Sequence, residues 1–449
     1  MIQKMLENLL IPGVRLLLQL FFRKIEIVNT ANVPTELPII FTPNHTNSLI
    51  DGMLARAFLP RDPRALAKAT LWNNPITGAL MVASNSIPVY RQSDVKDAGK
   101  MVKNQQMFDA CAQALAEKNC IVLFPEGTSH DEPELLPLKT GAARIALSAE
   151  QQHGPLSVRI MPVGLIFDNK QKFRSRVLIY LGHPVDPLVD IEKADSEDRE
   201  QVNKVTELIE EGIKSVTLNY PSWEEANIMQ RAADLYRSID RDGPVGESLA
   251  GKFSINKQLA DAYPLMKAAY PRKVTRVIKA VKSYDRLLRL LSIKHEHFIQ
   301  GKPGVIHTIS NLRKISLFLV RLPLAIVGIC LNIIPFQLTR MVGTLKIPAH
   351  RISTVKVLSG IFLYPLLWTV EAMILGEGLL PAWFWWLLAP ASGTATVLFL
   401  EHHARLLEEL IAYLRLKTQS DIREELEERL ENVDREVSEF IDAALKLES

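Results

Sequence analysis

The segment TPNHTNSLIDG contains residues that could carry out acid–base chemistry: His45, with Asn44 before it and Asp51 after it. A histidine readily takes up a proton near neutral pH, and a carboxylate one or two helical turns away can fix its tautomer and orient its ring. This pair could therefore act as a general base. The alternative is a helix-capping loop with a solvated histidine, because Asn, Thr and Ser favour helix N-termini.

A second polar segment, FPEGTSH, begins at Phe124, the last residue of the apolar run CIVLF, and contains Glu126, Gly127 and Thr128. A carboxylate, a glycine and a hydroxyl after a strand describe a loop that can approach a polar ligand closely. Open α/β sheets bind their ligands at the carboxyl ends of parallel strands, where such a loop would lie. An ordinary tight turn is the alternative.

Two further segments each contain one residue that is uncommon in its position, an arginine at the end of an extended run and a proline inside a strand. IPVYR is an extended run that ends in Arg91, whose commoner role would be a surface salt bridge. Pro162 lies inside the apolar run IMPVGLIF. Because a strand tolerates proline at an edge or a bulge, the sequence predicts one of these at Pro162.

The elements that position these segments follow from the hydrophobic pattern. Short apolar runs at 38–44, 119–127, 158–167 and 176–182 alternate with helical stretches. Runs that are apolar on both faces are typical of a parallel sheet covered by helices. The predicted fold class is therefore α/β, with a mostly parallel central sheet.

Composition excludes several classes of protein. The 449 residues carry a net charge of only +3, which is too balanced for a dedicated nucleic-acid binder. The three cysteines form no CxxC pair and no even disulfide set, so an oxidising compartment is not indicated. There is no HExxH and no Cys/His cluster at zinc spacing, so we predict no metal site.

Taken in order, the four segments resemble the glycerolipid acyltransferase superfamily (PlsC-like) over about residues 35–186, with an NH-x-D block, an IPV-x-R block, an FPEG-T block and a VP-type block. SHDEPELLPLKTG after the third block, together with an apolar C-terminal region, is similar to the glycerol-3-phosphate and dihydroxyacetone-phosphate acyltransferase branch. The resemblance implies a PlsC-like acyltransferase domain.

Two positions depart from the pattern of that superfamily. Five residues separate His45 from Asp51 where four are usual. One extra residue turns a side chain by about 100° on an α-helix, so the pair survives only if the extra residue lies in the loop before the helix. Ser129 stands where the third block commonly has arginine, so a phosphate contact must come from elsewhere.

The resemblance implies a role for each matching residue. His45 would remove the proton from a substrate hydroxyl as it attacks an acyl thioester, Asp51 would orient the histidine, and no acyl-enzyme is required. The expected catalytic residues are His45 and Asp51, and the expected substrate-binding residues are Asn44, Lys68, Arg91, Glu126, Gly127, Thr128 and Lys139.

The implied reaction transfers a fatty acyl group to a hydroxyl of glycerol 3-phosphate or dihydroxyacetone phosphate in phospholipid biosynthesis. Acyl-CoA or acyl carrier protein would supply the thioester, and no further cofactor is expected. Lysophosphatidic acid or another lysophospholipid is the alternative acceptor. A membrane scaffold without catalytic activity is a third interpretation. The expected partners are membrane lipids, the acyl donor and a small phosphorylated acceptor, and no nucleic acid.

Three apolar segments in the C-terminal half predict membrane association. The segments 357–375 and 379–400 have no Lys or Arg, and basic residues bracket them, which favours a hairpin with both ends in the cytosol. The segment 315–336 has basic residues on both sides. It either re-enters the membrane or lies at its interface, or it crosses the membrane. We expect a cytosol-facing catalytic domain, with a bacterial cytoplasmic membrane favoured over the endoplasmic reticulum.

The last 49 residues carry 14 acidic and 7 basic side chains, and their apolar residues from Leu426 to Leu447 are spaced alternately four and three apart. This spacing predicts a helix that either self-associates as a coiled coil or packs onto other helices of the same chain. The predicted parts are an interfacial amphipathic helix or core helix over 1–30, an acyltransferase domain over 31–190, a helical appendage over 191–310, a membrane region over 311–400 and an acidic tail over 401–449.

Overall fold

A computed structural model describes residues 2–73, 75–89, 100–239, 248–299, 312–378, 380–418 and 420–448. The chain divides into two compact units. The sheet unit comprises Met1–Ala226, Ser248–Lys257 and Pro348–Thr354. The helical unit comprises Asn227–Glu247, Gln258–Ile347 and Val355–Ser449.

A seven-stranded sheet forms the centre of the sheet unit, in the order β1-β7-β6-β2-β5-β3-β4. Neighbouring strands are parallel except for β6 and β7, which are antiparallel. The predicted mostly parallel sheet is therefore confirmed. The strands are β1 (Phe22–Val28), β2 (Ile39–Pro43), β3 (Pro63–Lys68), β4 (Ile87–Val89), β5 (Cys120–Val122), β6 (Arg159–Phe167) and β7 (Ser175–Leu181).

The central strands are apolar because both of their faces are covered. Every residue of β2 and β5 is buried. Ile40, Ile121 and Ile160 lie side by side in register and share one hydrophobic cluster with three helices. These helices are α4 (Lys100–Ala116), α5 (Gly141–His153) and α6 (Arg199–Ser215).

The sheet unit extends beyond the predicted acyltransferase domain of 31–190 at both ends. The N-terminal helix α1 (Ile2–Phe21) ends before residue 30, and Phe22–Val28 is a strand parallel to β7. Within this strand, Lys24, Ile25, Glu26 and Ile27 alternate polar and apolar residues with the period of a strand, and Ile25, Ile27 and Val28 are β-branched. At the other end, α6 buries Val202, Val205 and Ile209 in the sheet's core and is not part of a separate appendage.

Pro162 lies in an interior strand and not at an edge, but the antiparallel pairing of β6 is irregular beside it, as the predicted bulge requires. It pairs with Thr42 of β2 on one side of β6. On the other side, pairing with β7 starts only at Val163 opposite Leu181. Gly182 donates its N–H to the carbonyl of Pro162, and beyond this pair Ile160 pairs with Val185, one residue out of the β6–β7 register, so Pro162 lies next to a bulge that tolerates its missing N–H.

Two short helices complete the sheet unit, α2 (Leu49–Phe58) and α3 (Pro75–Ala83). The helices that follow are α7 (Trp223–Ile239), α8 (Leu249–Ala269), α9 (Pro271–Leu291), α10 (His295–Ile299), α11 (Leu312–Val342), α12 (Ile352–Leu375), α13 (Ala382–Thr418) and α14 (Ser420–Glu448).

The C-terminal helix α14 packs along α9 inside the helical unit. Leu426, Val433, Val437 and Phe440 of the predicted seam are all fully buried. Charged side chains flank the contact, with Lys273 and Arg276 of α9 paired to acidic residues of α14. The seam is therefore covered by the same chain, and the self-association predicted through this helix would have to use another surface.

Among the residues that the structure describes, three helical stretches are long and apolar enough to cross a membrane: Phe318–Val342, Ala349–Leu375 and Ala382–Glu401. The segment predicted at 315–336 lies within α11, which continues through two internal prolines without reversing. A re-entrant loop reverses its direction, so that alternative is wrong for this segment. The predicted boundary at residue 400 falls inside the continuous helix α13.

Small residues let α11 and α13 approach closely within the helical unit. A Cβ atom added to Gly328 would clash with the carbonyl oxygen of Ser392. Thr396 donates a hydrogen bond of 2.9 Å to the carbonyl of Ala325. Close backbone contact through small residues and interhelical hydrogen bonds is typical of helices that pack in a lipid bilayer.

Candidate active site

His45 and Asp51 meet at the carboxyl end of β2. His45 lies in the loop after β2, and Asp51 lies in the first turn of α2, which begins at Leu49. The extra residue between them is therefore accommodated before the helix, where Ser48 has a φ of +50°. His45 Nδ1 lies 3.0 Å from Asp51 Oδ2, so the two side chains remain paired despite the longer spacing.

The surroundings of Asp51 assign the proton positions on His45. Asp51 is fully buried and its Oδ2 also accepts the N–H of Asn47 at 2.6 Å. Because a carboxylate accepts hydrogen bonds, Nδ1 of His45 carries the proton and Nε2 is left as an acceptor. The positive end of the α2 dipole further stabilises the Asp51 carboxylate. His45 can thus accept a proton at Nε2.

Ser129 occupies the position next to this acceptor nitrogen. Its hydroxyl lies 2.7 Å from His45 Nε2 and donates to it. Ser129, His45 and Asp51 therefore form one hydrogen-bonded chain, although Ser129 is 84 residues from His45 in sequence. The sequence drew attention to Ser129 only because arginine is common at this position, and no local pattern showed that its hydroxyl reaches the histidine.

Glu126 connects the two active-site loops and is not free to contact a substrate. It is almost fully buried, and its Oε1 accepts the N–H of His45 at 2.6 Å. Its Oε2 accepts the N–H of Leu136 at 3.2 Å and contacts the ring of His130. Glu126 is predicted to bind the acceptor, and this contact would need a free carboxylate oxygen. In the structure, each oxygen already accepts a hydrogen bond from the protein.

The side chain of Asn44 likewise forms hydrogen bonds with the backbone. Its Oδ1 accepts the N–H of Leu165 at 2.7 Å, and its Nδ2 donates to the carbonyl of the same residue at 3.3 Å. The side chain thereby extends the pairing of β2 with β6 and holds the loop that begins at His45. This geometry gives Asn44 a positioning role in place of the predicted contact with substrate.

Lys139 and Gly127 are adjacent in the second loop. Gly127 has a φ of +72°, and a Cβ atom there would lie 3.2 Å from Cγ of Lys139, so both backbone conformation and space favour glycine. Within the described ranges, the ammonium group of Lys139 makes no ion pair. Lys139 thus supplies a cation that a phosphate could use, while the exposed Thr128 supplies a hydroxyl.

The remaining predicted residues lie at the same edge of the sheet or outside the described residues. Lys68 is the last residue of β3, a parallel strand next to β5. Arg91 follows β4 but lies outside the described residues, so its position in the site stays a prediction. Within the described residues, no group of three His, Cys, Asp or Glu side chains is arranged to hold a metal ion.

Comparison with known proteins finds a family model and several similar proteins. Residues 24–166 match the family model described as Acyltransferase. The chain is similar to glycerol-3-phosphate O-acyltransferase 2 of Saccharomyces cerevisiae, with 32% identity over 204 residues, which is 45% of this chain and 26% of that protein. Glycerol-3-phosphate O-acyltransferase 1 of the same yeast is 37% identical over 125 residues, or 27% of this chain and 16% of that protein.

This chain therefore matches only about a quarter of the length of the first yeast relative. Among solved structures, the chain is similar to the 1-acyl-sn-glycerophosphate acyltransferase PlsC from Thermotoga maritima, with 20% identity and a TM-score of 0.34. That match covers 47% of this chain and 78% of the solved chain.

Proposed function

We propose that this protein is a membrane-bound O-acyltransferase that moves a fatty acyl group from an acyl thioester to a hydroxyl of glycerol 3-phosphate or dihydroxyacetone phosphate. The observation that supports this most directly is the pairing of His45 with the buried Asp51, which leaves Nε2 as the proton acceptor. The match to the Acyltransferase family model and the activity named for the two yeast relatives support the same reaction.

The transfer proceeds by direct attack in this proposal. The acceptor hydroxyl displaces Ser129 from His45 Nε2 and gives its proton to that nitrogen while its oxygen attacks the thioester carbonyl. The new C–O bond forms and the C–S bond breaks. The proton then passes from the imidazolium to the leaving thiolate, so the products are an ester and a free thiol.

The other members of the site bind or position the reactants. Lys139 pairs with the phosphate of the acceptor as a point charge, since its ammonium is exposed beside Gly127. Arg91 and Lys68 are the further candidates for this contact. Glu126 and Asn44 hold the loops that carry His45 and Ser129. The acyl donor is the CoA or acyl-carrier-protein thioester, with no other cofactor.

Membrane binding suits a reaction whose acyl chain and product are both insoluble in water. Three candidate spanning helices support it. We further propose that the sheet unit faces the cytosol, because basic residues bracket the pair of segments at 357–375 and 379–400 that lacks Lys and Arg. A bacterial cytoplasmic membrane and the endoplasmic reticulum both fit this orientation.

The test of the proposed function uses the full chain purified in detergent, a radiolabelled acyl thioester and glycerol 3-phosphate. We expect acylated product from the wild type and a loss of at least about 100-fold in kcat for His45→Ala, because general-base catalysis contributes about 10²- to 10⁴-fold. The matched control is His153→Ala, an exposed histidine in the last turn of α5, which should retain wild-type turnover.

Equal product formation by the wild type and His45→Ala would refute the proposed function and favour a scaffold. The same assay with dihydroxyacetone phosphate and with lysophosphatidic acid identifies the acceptor. Lys139→Ala should raise the KM for glycerol 3-phosphate, whereas Lys193→Ala, at an exposed lysine outside the two active-site loops, should leave it unchanged. A KM that rises equally in both variants would exclude a specific phosphate contact at Lys139.

A further inference from the structure

A short stretch from the C-terminal half of the chain is built into the sheet unit. Residues Pro348–Thr354, called here the juxtamembrane segment, follow α11 and include the first three residues of α12, and they belong to the sheet unit. His350 donates its backbone N–H to Asp131 Oδ2 at 3.0 Å, and its Nδ1 lies 3.2 Å from the same oxygen. The fully buried Ser353 donates its hydroxyl to the carbonyl of Lys170.

Both residues that the segment contacts hold an active-site loop. Asp131 comes two residues after Ser129, and its Oδ1 lies 2.7 Å from Nζ of Lys170. The same Nζ donates to the carbonyl of Thr46 at 3.0 Å, next to His45. The ion pair therefore ties the loop of His45 to the loop of Ser129.

The carboxyl group of Asp131 is ionised, as its ion pair with Lys170 requires. Burial by itself raises the pKa of the carboxyl, but the Lys170 ammonium and the N–H groups of His350 outweigh that effect and hold the pKa below its usual range. Trp223 also donates its indole N–H to the carbonyl of Asp131 at 2.5 Å. Asp131 is thus an ionised anchor at the end of the FPEGTSHD loop.

We propose that the juxtamembrane segment is a positioning element of the active site, in which His350 acts through Asp131 and Lys170 on the placement of His45 and Ser129. This inference rests on the proposed function for its kinetic consequences. The segment runs directly into α12, part of a candidate membrane span, so the residues that begin this helix also hold the catalytic loops. The sequence offers no local sign of this, because His350 and Asp131 are 219 residues apart.

The kinetic test compares variants of the full chain in the acylation assay. A displacement of about 1 Å at a catalytic group can cost about 100-fold in rate, so we expect His350→Ala to lower kcat about 10- to 100-fold. The KM for glycerol 3-phosphate should stay within about twofold, since the hydrogen bonds of His350 among the described residues go to Asp131 and not to Lys139 or Lys68. Asp131→Asn should lower kcat at least as much, because it also leaves Lys170 without its carboxylate.

A conservative replacement separates positioning from general destabilisation. Asn at position 350 can donate from its amide nitrogen where His350 donates from Nδ1, so His350→Asn should recover most of the lost kcat. His183→Ala, at an exposed histidine of the same unit, is the control and should match the wild type. A kcat within twofold of wild type for both His350→Ala and Asp131→Asn would overturn the proposal, as would a loss that His350→Asn fails to recover.

Hydrogen exchange supplies a readout that needs no activity. We expect His350→Ala to increase amide exchange at residues 45–48 and 126–131 relative to wild type and to His183→Ala. Unchanged exchange at both loops would overturn the positioning role even if the enzyme is active. Increased exchange in a protein that acylates none of the acceptors would instead refute the proposed function and leave the structural link intact.

Discussion

Replacing Asp51 with asparagine isolates the contribution of its charge to the proposed catalytic pair of His45 and Asp51. Oδ2 of Asp51 accepts both His45 Nδ1 at 3.0 Å and the N–H of Asn47 at 2.6 Å. In Asp51→Asn, the amide oxygen keeps this position, since an amide nitrogen there would face two donors. The substitution therefore retains the tautomer and placement of His45 and removes the negative charge.

The size of the effect follows from the distance. When His45 takes up the substrate proton, the imidazolium and carboxylate charge centres lie about 4 Å apart, which is worth about 4 kcal/mol at an effective dielectric constant of about 20. Asparagine loses this attraction but keeps a neutral hydrogen bond. Because about 1.4 kcal/mol corresponds to a tenfold change in rate, we expect kcat to fall about 1000-fold.

The assay measures kcat at saturating glycerol 3-phosphate for Asp51→Asn, His45→Ala and the double variant. If Asp51 acts through His45, the double variant should be no slower than His45→Ala alone. Asp190→Asn, at an exposed surface aspartate, should match the wild type, and circular dichroism should show that all variants are folded. A kcat for Asp51→Asn within tenfold of wild type, or fully additive losses in the double variant, would refute the reasoning.

Three further predictions concern Ser129 and the helical unit. Ser129→Ala should lower kcat by less than about tenfold, because the acceptor hydroxyl replaces the Ser129 hydroxyl at His45. A burst of thiol release without acceptor, together with an acylated Ser129 in the mass spectrum, would instead show a covalent intermediate. Phe440→Ala, at a fully buried position of α14, should lower the free energy of unfolding by about 3 to 5 kcal/mol, whereas Leu445→Ala, at an exposed one, should have little effect. Thermal unfolding in detergent checks this, and equal shifts for the two variants would contradict the packing of α14 on α9.

Burial first, and then the charge of Arg231, lowers the pKa of His295 to about 3. The unfolded chain binds a proton at this histidine below about pH 6.5, so stability should fall by up to about 1.4 kcal/mol per pH unit as the pH drops from there towards 3. His295→Gln should unfold with a flatter dependence of Tm on pH, and an unchanged slope would contradict this assignment.

Local patterns were sufficient for the apolar strands β2, β5, β6 and β7 and for the proximity of His45 to Asp51, but not for β1 or β3. β2 and β5 could be predicted because a strand buried on both faces reads as a continuous apolar run. His45 and Asp51 could be predicted because both lie in one short segment, so only the register of a single loop and helix decides whether they meet. The heptad spacing of apolar residues predicted which face of α14 is buried but not which helix covers it. Such a face packs equally well on a helix of its own chain or on a second copy.

Contacts between distant segments decided the rest. The sequence indicated that Asn44 and Glu126 lie in the site, but the roles of these side chains depend on which backbone groups reach them, and those groups come from β6 and from the neighbouring loops. Ser129 lies 84 residues from its partner His45, and His350 lies 219 residues from its partner Asp131. Both contacts form only when folding brings these distant loops together. Hydrogen bonds act over about 3 Å and leave no periodicity in a sequence, so the tertiary structure alone shows which polar groups are paired inside the protein and which remain available for a substrate.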